Sequence, residues 1–463
     1  MTRTVVKIGE LGHGLAAWLG RPMPGRPDAR KPMLIGPSLA TLPDIDAVDG
    51  VQRYGIALAE ALMQHGAIKL VLEGLFAGTG GGQNGALCFD LQSSDAEPIR
   101  WEALCDGQGR FLALNNRWTV GRIAELCSDR EARVRLFEPP LRIGAYLSAA
   151  RLDAAAEWDA IRDAVDGAVA QGLAVSARVH IGQPGLLDRA VADCNARAHG
   201  ALLALPMPAT AAEFERTLSG HLPHVLHVFC HGSAGAGAAS LEFATLAEHG
   251  KKAERGSIEL AVEELIGHPG LEEAWLMVLN CCEGASATSG ANSMAFRMVS
   301  EGGIPAAIGM HEPVQVREAN AFSASLYPEL FGAFEQALRV APGAEPVRID
   351  LTRVMTAPRR ALRHASGRWT LPALYVQDRP LEVFRPVLGP HSTGQDSLQD
   401  QLQALDEKVA LTAGMLRSLP PETPERVREL ILATLDEAPV VPPVMRPDRY
   451  GNVGGQREEP GHG

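Results

Sequence analysis

Two short stretches set a histidine and a pair of thiols in the same local setting. In "VLHVFCHGSAG", residues 225–235, an apolar run stops at His231 and Gly232, and in "WLMVLNCCEGAS", residues 275–286, another stops at Cys281 and Cys282. An imidazole beside a thiol makes an activated nucleophile. The base takes the thiol proton, the thiolate attacks an acyl carbon, and the imidazolium protonates the leaving amine. That is acyl transfer at a peptide bond. A cysteine ending a buried strand is more often a small core residue, and a lone histidine more often a satisfied structural one. Chain order favours chemistry here, because His231 precedes Cys282 by about fifty residues and each follows an apolar run, a base-before-nucleophile order known in cysteine peptidases.

Other chemistries fit the same region less well. Cys230, His231, Cys281 and Cys282 are all zinc-ligand types, but adjacent residues of a strand point to opposite faces, and the two-residue gaps that wrap a metal are missing. No metal and no cofactor is therefore expected. A Cys281–Cys282 disulfide would close a strained ring. "GTGGGQNG", residues 78–85, lacks the Gly-Lys-Ser/Thr of a phosphate loop and opens no amphipathic helix, so it reads as a plain loop. His311 and Glu312 follow the apolar run "IPAAIGM" and are equally well read as a polar strand end or as part of a cleft wall. Glu242 and Glu283 lie near the site in sequence and read as solvated carboxylates in preference to specificity residues.

The elements that must position the pair follow an alternating rhythm from residue 141. "LRIGAYLSA" reads as a strand, "AAAEWDAIRDAVDGAVAQG" as a helix closed by Gly172, and "LAVSARVHI" as a strand. "AAEFERTLSGHL" follows as helix, "HVLHVFC" as strand, "SIELAVEELIG" as helix, "AWLMVLN" as strand, "NSMAFRMVSEGG" as helix and "IPAAIGM" as strand. Strands separated by helices imply right-handed crossovers and a mostly parallel sheet with helices on both faces, an α/β fold. Ligands of such sheets bind outside the carboxyl ends of the strands, where both runs end. "REANAFSASLYPELFGAFEQAL" and "EPVRIDLTRVMTAPRRALRHA" read as two more helices and "LPALYVQ" as a late strand.

Before that rhythm, residues 1–50 read as an N-terminal extension with a short opening strand and the Pro-rich connector "RPMPGRPDARKP". Residues 51–140 begin with helical periodicity and continue through the strand "ALCFDLQ" and a Gly-Gln-Gly turn. Residues 141–390 hold the alternating portion. Residues 391–463 read as helices facing solvent or a partner, followed by a Pro- and Gly-rich tail.

With 463 residues, 46% hydrophobic and 21% charged, the chain can bury a large core. A net charge of −12 with no basic stripe argues against nucleic acid or an anionic membrane as partner. No apolar run is long enough to span a bilayer or act as a signal peptide. Seven irregularly spaced cysteines do not form a secreted disulfide framework, so a cytoplasmic location is expected.

The stretches "PIRWEALCDGQGRFLALNNRWTVGRI", "HVFCHGS", "LMVLNCCEGAS", "MAFRMVSEGGIPAAIGMHEPVQVREANAFSASLYPELF" and "GRWTLPALYV", in this order over residues 51–385, resemble successive blocks of the CHAT domain. These are the caspase HetF-associated-with-TPR cysteine peptidases of the caspase and separase clan. The resemblance implies a caspase-like sheet, with 51–140 as the N-terminal portion of the domain and 141–390 as its catalytic portion. It implies His231 as general base and Cys282 as nucleophile, with Cys281 in place of the usual small alanine. It further implies an oxyanion hole made of the backbone N–H groups of Gly232 and Cys282. The implied function is endopeptidase cleavage of a protein partner in bacterial signalling or defence. The alternative is a catalytically silent caspase-like scaffold or binding protein. The chain departs from familiar members in lacking TPR repeats, which leaves residues 391–463 as the expected surface for a regulatory protein partner.

Overall fold

The apolar runs that lead to His231 and Cys281 become neighbouring parallel strands. The computed structural model describes residues 2–78, 85–127, 133–234, 239–281, 293–312, 314–363 and 367–387. The chain first forms β1 (Thr2–Leu11), β2 (Gly14–Leu19), β3 (Met33–Leu34), α1 (Gly36–Leu39), α2 (Gly50–Met63), α3 (Gly66–Ala77), β4 (Gly85–Leu91), β5 (Trp118–Ile123) and β6 (Arg135–Leu136). It continues through β7 (Leu141–Leu147), α4 (Ala155–Ala170), β8 (Val175–Ile181), α5 (Pro184–Asn195), β9 (Leu202–Pro206), α6 (Ala211–His221) and β10 (Val225–Phe229). Next come β11 (His231–Ala234), β12 (Ala239–Phe243), α7 (Leu246–Gly250), β13 (Ile258–Ala261), α8 (Val262–Leu265), β14 (Leu276–Leu279), α9 (Met294–Ser300) and β15 (Ala306–Met310). The last elements are α10 (Val316–Leu338), β16 (Val347–Ile349), α11 (Thr356–Ala361), β17 (Pro372–Val376) and β18 (Leu381–Phe384). The chain divides into two compact units, Met1–Pro386 and Val387–Gly463. The helices expected after residue 390 lie outside the described residues.

The main sheet has twelve strands in the order β3-β2-β1-β4-β5-β17-β15-β14-β10-β7-β8-β9. It is mostly parallel, as the alternating pattern requires, and is built of two parallel blocks. One block is β1, β4, β5 and β17; the other is β15, β14, β10, β7, β8 and β9. They meet where β15 and β17 run antiparallel. β1 also pairs with β2, and β2 with β3, both antiparallel, so residues 2–34 supply three strands to one edge.

In the second block the chain lays down β7, then β8 and β9 on one side, and returns to place β10, β14 and β15 on the other. The strand order reverses between β7 and β10. Such a reversal opens a crevice at the carboxyl ends, since the loops leaving the two strands diverge. β7, β10, β14 and β15 are buried along their lengths, as expected of strands covered on both faces. α4 and α10 pack against each other over one face.

Local chemistry accounts for several boundaries. Gly172 follows α4 with a φ of 78°, a left-handed residue that ends the helix where the sequence places it. Gly109, φ 73°, makes the turn of the Gly-Gln-Gly segment. Gly85 opens the strand β4, so the glycine-rich loop leads to a strand and not to a helix.

Two segments differ from the sequence reading. "SIELAVEELIG" is the strand β13 followed by the single turn α8. Ile258, Leu260 and Val262 alternate, and pairing of β13 with β12 decides in favour of that period. "EPVRIDLTRVMTAPRRALRHA" contains the short strand β16, a 3₁₀ turn and the short helix α11 in place of one helix. Pro358, inside that stretch, and the pairing of β16 with β18 account for the break. α5 and β9 add a crossover unit that the sequence pattern did not reveal.

Candidate active site

β10 pairs in parallel with both β7 and β14, with Val225 opposite Ile143 and Leu276. Its run ends at Phe229, the chain bends at the buried Cys230, and His231 begins β11 in a separate three-stranded sheet. Here His231 faces Glu242 and Gly232 faces Leu241 across the antiparallel pair β11–β12. The histidine is half-buried, and its Nε2 lies 2.9 Å from the carbonyl oxygen of Ala150, in the loop that leaves β7. The ring thus spans the point where the strand order reverses. A carbonyl only accepts, so Nε2 is the donor in that contact.

On the adjacent strand, Asn280 and Cys281 follow β14, both buried, and Cys281 is a free thiol. Cys282, assigned as nucleophile and as one oxyanion donor, lies outside the described residues, as does Glu283. The structure therefore brings the described end of the cysteine run beside the histidine run through β10–β14 pairing. Glu242 accepts from the Gly256 N–H at 2.8 Å and so closes a turn between β12 and β13. Beyond β15, Glu312 is bound by Arg100 and, at 3.4 Å, by Arg368, and His311 is buried. Among the described residues no group of three or more His, Cys, Asp or Glu is placed to hold a metal ion, and no helix is long and apolar enough to cross a membrane.

Sequence reasoning missed the buried polar groups behind this edge. Asn280 Nδ2 donates to Glu157 Oε1 at 2.9 Å and approaches Ser323 Oγ at 3.2 Å. Glu157 lies in the first turn of α4, and its Oε2 is 3.2 Å from His227 Nε2 on β10. Glu157 and His227 are both fully buried. The available signal was a carboxylate on the apolar stripe of α4, four residues before Ile161.

Where the chain resumes after residues 282–292, Ser293 caps α9 by accepting from the Phe296 N–H at 3.3 Å. The Ser293 N–H donates at 3.2 Å to Glu97 Oε2, which also accepts from the Tyr375 hydroxyl at 3.1 Å. Burial raises the Glu97 carboxyl above its ordinary range. The Glu97 backbone carbonyl accepts from Arg122 Nη1 at 2.6 Å, and Arg122 is locked to Glu102 by hydrogen bonds of 3.0 and 2.8 Å. Burial alone would raise Glu102, but the Arg122 guanidinium more than offsets it and holds that carboxyl low.

Among solved structures, the chain is similar to separase in the Saccharomyces cerevisiae separase–securin complex, at 10% identity and a TM-score of 0.33 over 65% of this chain. It spans only 16% of that separase chain. It is also similar to gingipain R, an Arg-specific cysteine proteinase, at 7% identity and a TM-score of 0.35, covering 74% of this chain and 70% of the other. A complex of the pro- and mature domains of RgpB from Porphyromonas gingivalis gives 9% identity and a TM-score of 0.33, covering 69% and 71%. Comparison with curated proteins finds no match. The family model of the CHAT domain matches residues 52–371, well over half of the sequence and inclusive of both the histidine and the cysteine runs. The chain belongs to the CHAT domain family.

Proposed function

We propose that this protein is a cysteine endopeptidase that cleaves a protein partner with a His231–Cys282 dyad. The observation that carries the reading is the Nε2 contact of His231 with the Ala150 carbonyl at the reversal of strand order. In this reading Nε2 keeps its contact with the carbonyl and Nδ1 takes the thiol proton of Cys282. The resulting imidazolium is stabilised by a strengthened Nε2–H···O=C bond. Cys282 Sγ then attacks the scissile carbonyl, and the backbone N–H groups of Gly232 and Cys282 hold the oxyanion. The imidazolium gives its proton to the leaving amine, and water, deprotonated by the same nitrogen, releases the acyl enzyme. Residues 391–463 offer a regulatory partner its surface, and the setting is bacterial signalling or defence in the cytoplasm.

Incubating the chain with a bacterial proteome and sequencing new N-termini tests the proposal. New termini are expected with the wild type and none with Cys282→Ala. Equal termini from both proteins would assign the cleavage to another agent, and their absence from both would favour a silent scaffold.

A further inference from the structure

We infer, on the dyad reading above, that Ser148 and His249 are positioning residues for His231: they set the turn after β7 whose Ala150 carbonyl holds the imidazole. That carbonyl accepts from His231 Nε2 at 2.9 Å. Alanine has no polar side chain, so the direction of its carbonyl is decided by the residues that fix the turn. Ser148, buried and two residues upstream, stands directly after the end of β7.

Four contacts converge on Ser148. Its N–H donates to the carbonyl of Phe229, the last residue of β10, at 2.8 Å, and its own carbonyl accepts from the Ala244 N–H at 3.4 Å. Its Oγ donates to the Ala244 carbonyl and lies 3.1 Å from His249 Nε2. The hydroxyl has one proton and the carbonyl can only accept it, so His249 Nε2 is the donor to Oγ. His249 is half-buried on α7, a helix fixed at its start, where Thr245 and Glu248 cap each other reciprocally. The remaining side fits closely: a Cβ on Gly182, just after β8, would overlap Ser148 Oγ and the Ala244 carbonyl. The ends of β7, β8, β10 and β12 thus meet at this serine.

Beyond Ser148 the chain turns at once. The Leu152 N–H donates to the Ala149 carbonyl at 3.1 Å, and Arg151 has a φ of 64°, a left-handed conformation disfavoured for a residue with a Cβ. Such a conformation persists only where its surroundings over-determine it. On the downstream side Arg151 pairs with Glu254 at 2.9 Å, but both side chains are exposed, and an exposed pair fixes little. The buried contacts of Ser148, on the upstream side, therefore set where the Ala150 carbonyl points. The bond made by one ring nitrogen of a histidine decides how the other is presented. A displacement of about 1 Å at a reacting group is enough to lower a rate about a hundredfold.

The test uses the full chain with isotopically labelled histidine rings and the variants Ser148→Ala, His249→Phe and His249→Gln. Phenylalanine keeps a ring and removes the donor, and glutamine restores a donor at similar reach. Two quantities are read on folded protein. One is the water-exchange rate of the His231 ring N–H, its magnetic resonance signal being the one that His231→Ala removes. The other is the rate at which iodoacetamide alkylates Cys282, read by peptide mapping. Ser148→Ala and His249→Phe are expected to speed the exchange about tenfold and to slow His231-dependent alkylation about tenfold, and His249→Gln to recover most of both. A purely structural role would lower the melting temperature and leave both quantities at their wild-type values in folded Ser148→Ala and His249→Phe. That result would overturn the inference. If Cys282 of the wild type is alkylated no faster than after His231→Ala, the dyad reading itself fails, and exchange of the ring N–H then decides on its own whether Ser148 and His249 hold the imidazole.

Discussion

The proposed dyad gives the two thiols of the doublet Cys281–Cys282 different tasks. Cys281 is buried beyond Asn280, whose side chain turns toward Glu157 on the α4 face of the sheet. The thiol of Cys281 is therefore a buried core group two residues past the end of β14. Cys281→Ala is expected to leave cleavage within about twofold of wild type and to cost about 1 kcal/mol of stability, the loss of one buried sulfur. A kinetic assay alongside a denaturant titration checks both, and an inactive but folded Cys281→Ala protein would mean that the wrong sulfur has been assigned. At this scale the sequence makes visible a residue that interrupts an apolar run, as His231 does after β10. Glu97 was not legible, because its partner Ser293 lies 196 positions away and nothing local distinguishes that carboxylate from a surface one.

The elements around the site carry buried histidines into the parallel block, and burial lowers three of them, His180, His221 and His224. Burial pushes His180 on β8 down to about 4, His221 at the end of α6 to about 3, and His224 before β10 to about 2. Each has a partner suited to the neutral ring. His180 Nδ1 and His221 Nε2 donate to the carbonyls of Pro206 and Ile143, and His224 Nδ1 accepts from the Arg142 N–H. A histidine whose folded value lies below its ordinary 6.5 leaves the proton to the unfolded chain. The stability it allows is complete above about pH 6.5 and is lost as pH falls toward the folded values. Each contributes a slope of about 1.4 kcal/mol per pH unit, so the three together give about 4 kcal/mol per unit between pH 6 and 4. Urea titrations at stepped pH are expected to show that decline, and a stability that stays flat from pH 7 to 5 would contradict the burial. Strands and helices with a clear period were legible here: β7, α4, β8, α6, β10, β14, α9 and β15 all fall where the pattern puts them. β13 was not, because a short run such as Ile258–Ala261 satisfies both periods until its partner strand is known.

Across the whole molecule, two parallel blocks share one twelve-stranded sheet and run in opposite directions. The parallel character was legible from strands alternating with helices. The reversal at β15–β17 and the entry of β1 at the far side were not, since pairing across so much of the sequence depends on tertiary contacts that leave no local pattern. One block carries the histidine and cysteine runs on the neighbouring strands β10 and β14, and Glu97, bonded to Arg122 and Tyr375 of the other block, accepts from the Ser293 N–H before α9. The central claim is that Cys282 is a nucleophile activated by His231. Its most direct measurement is the site of adduct formation with a peptidyl chloromethyl ketone, read by intact mass and peptide mapping on wild type, His231→Ala, Cys281→Ala and Cys282→Ala. The account predicts one adduct, on Cys282, in the wild type and Cys281→Ala, and none in Cys282→Ala or His231→Ala. An adduct on Cys281, or one on Cys282 that forms as fast without His231, would contradict it.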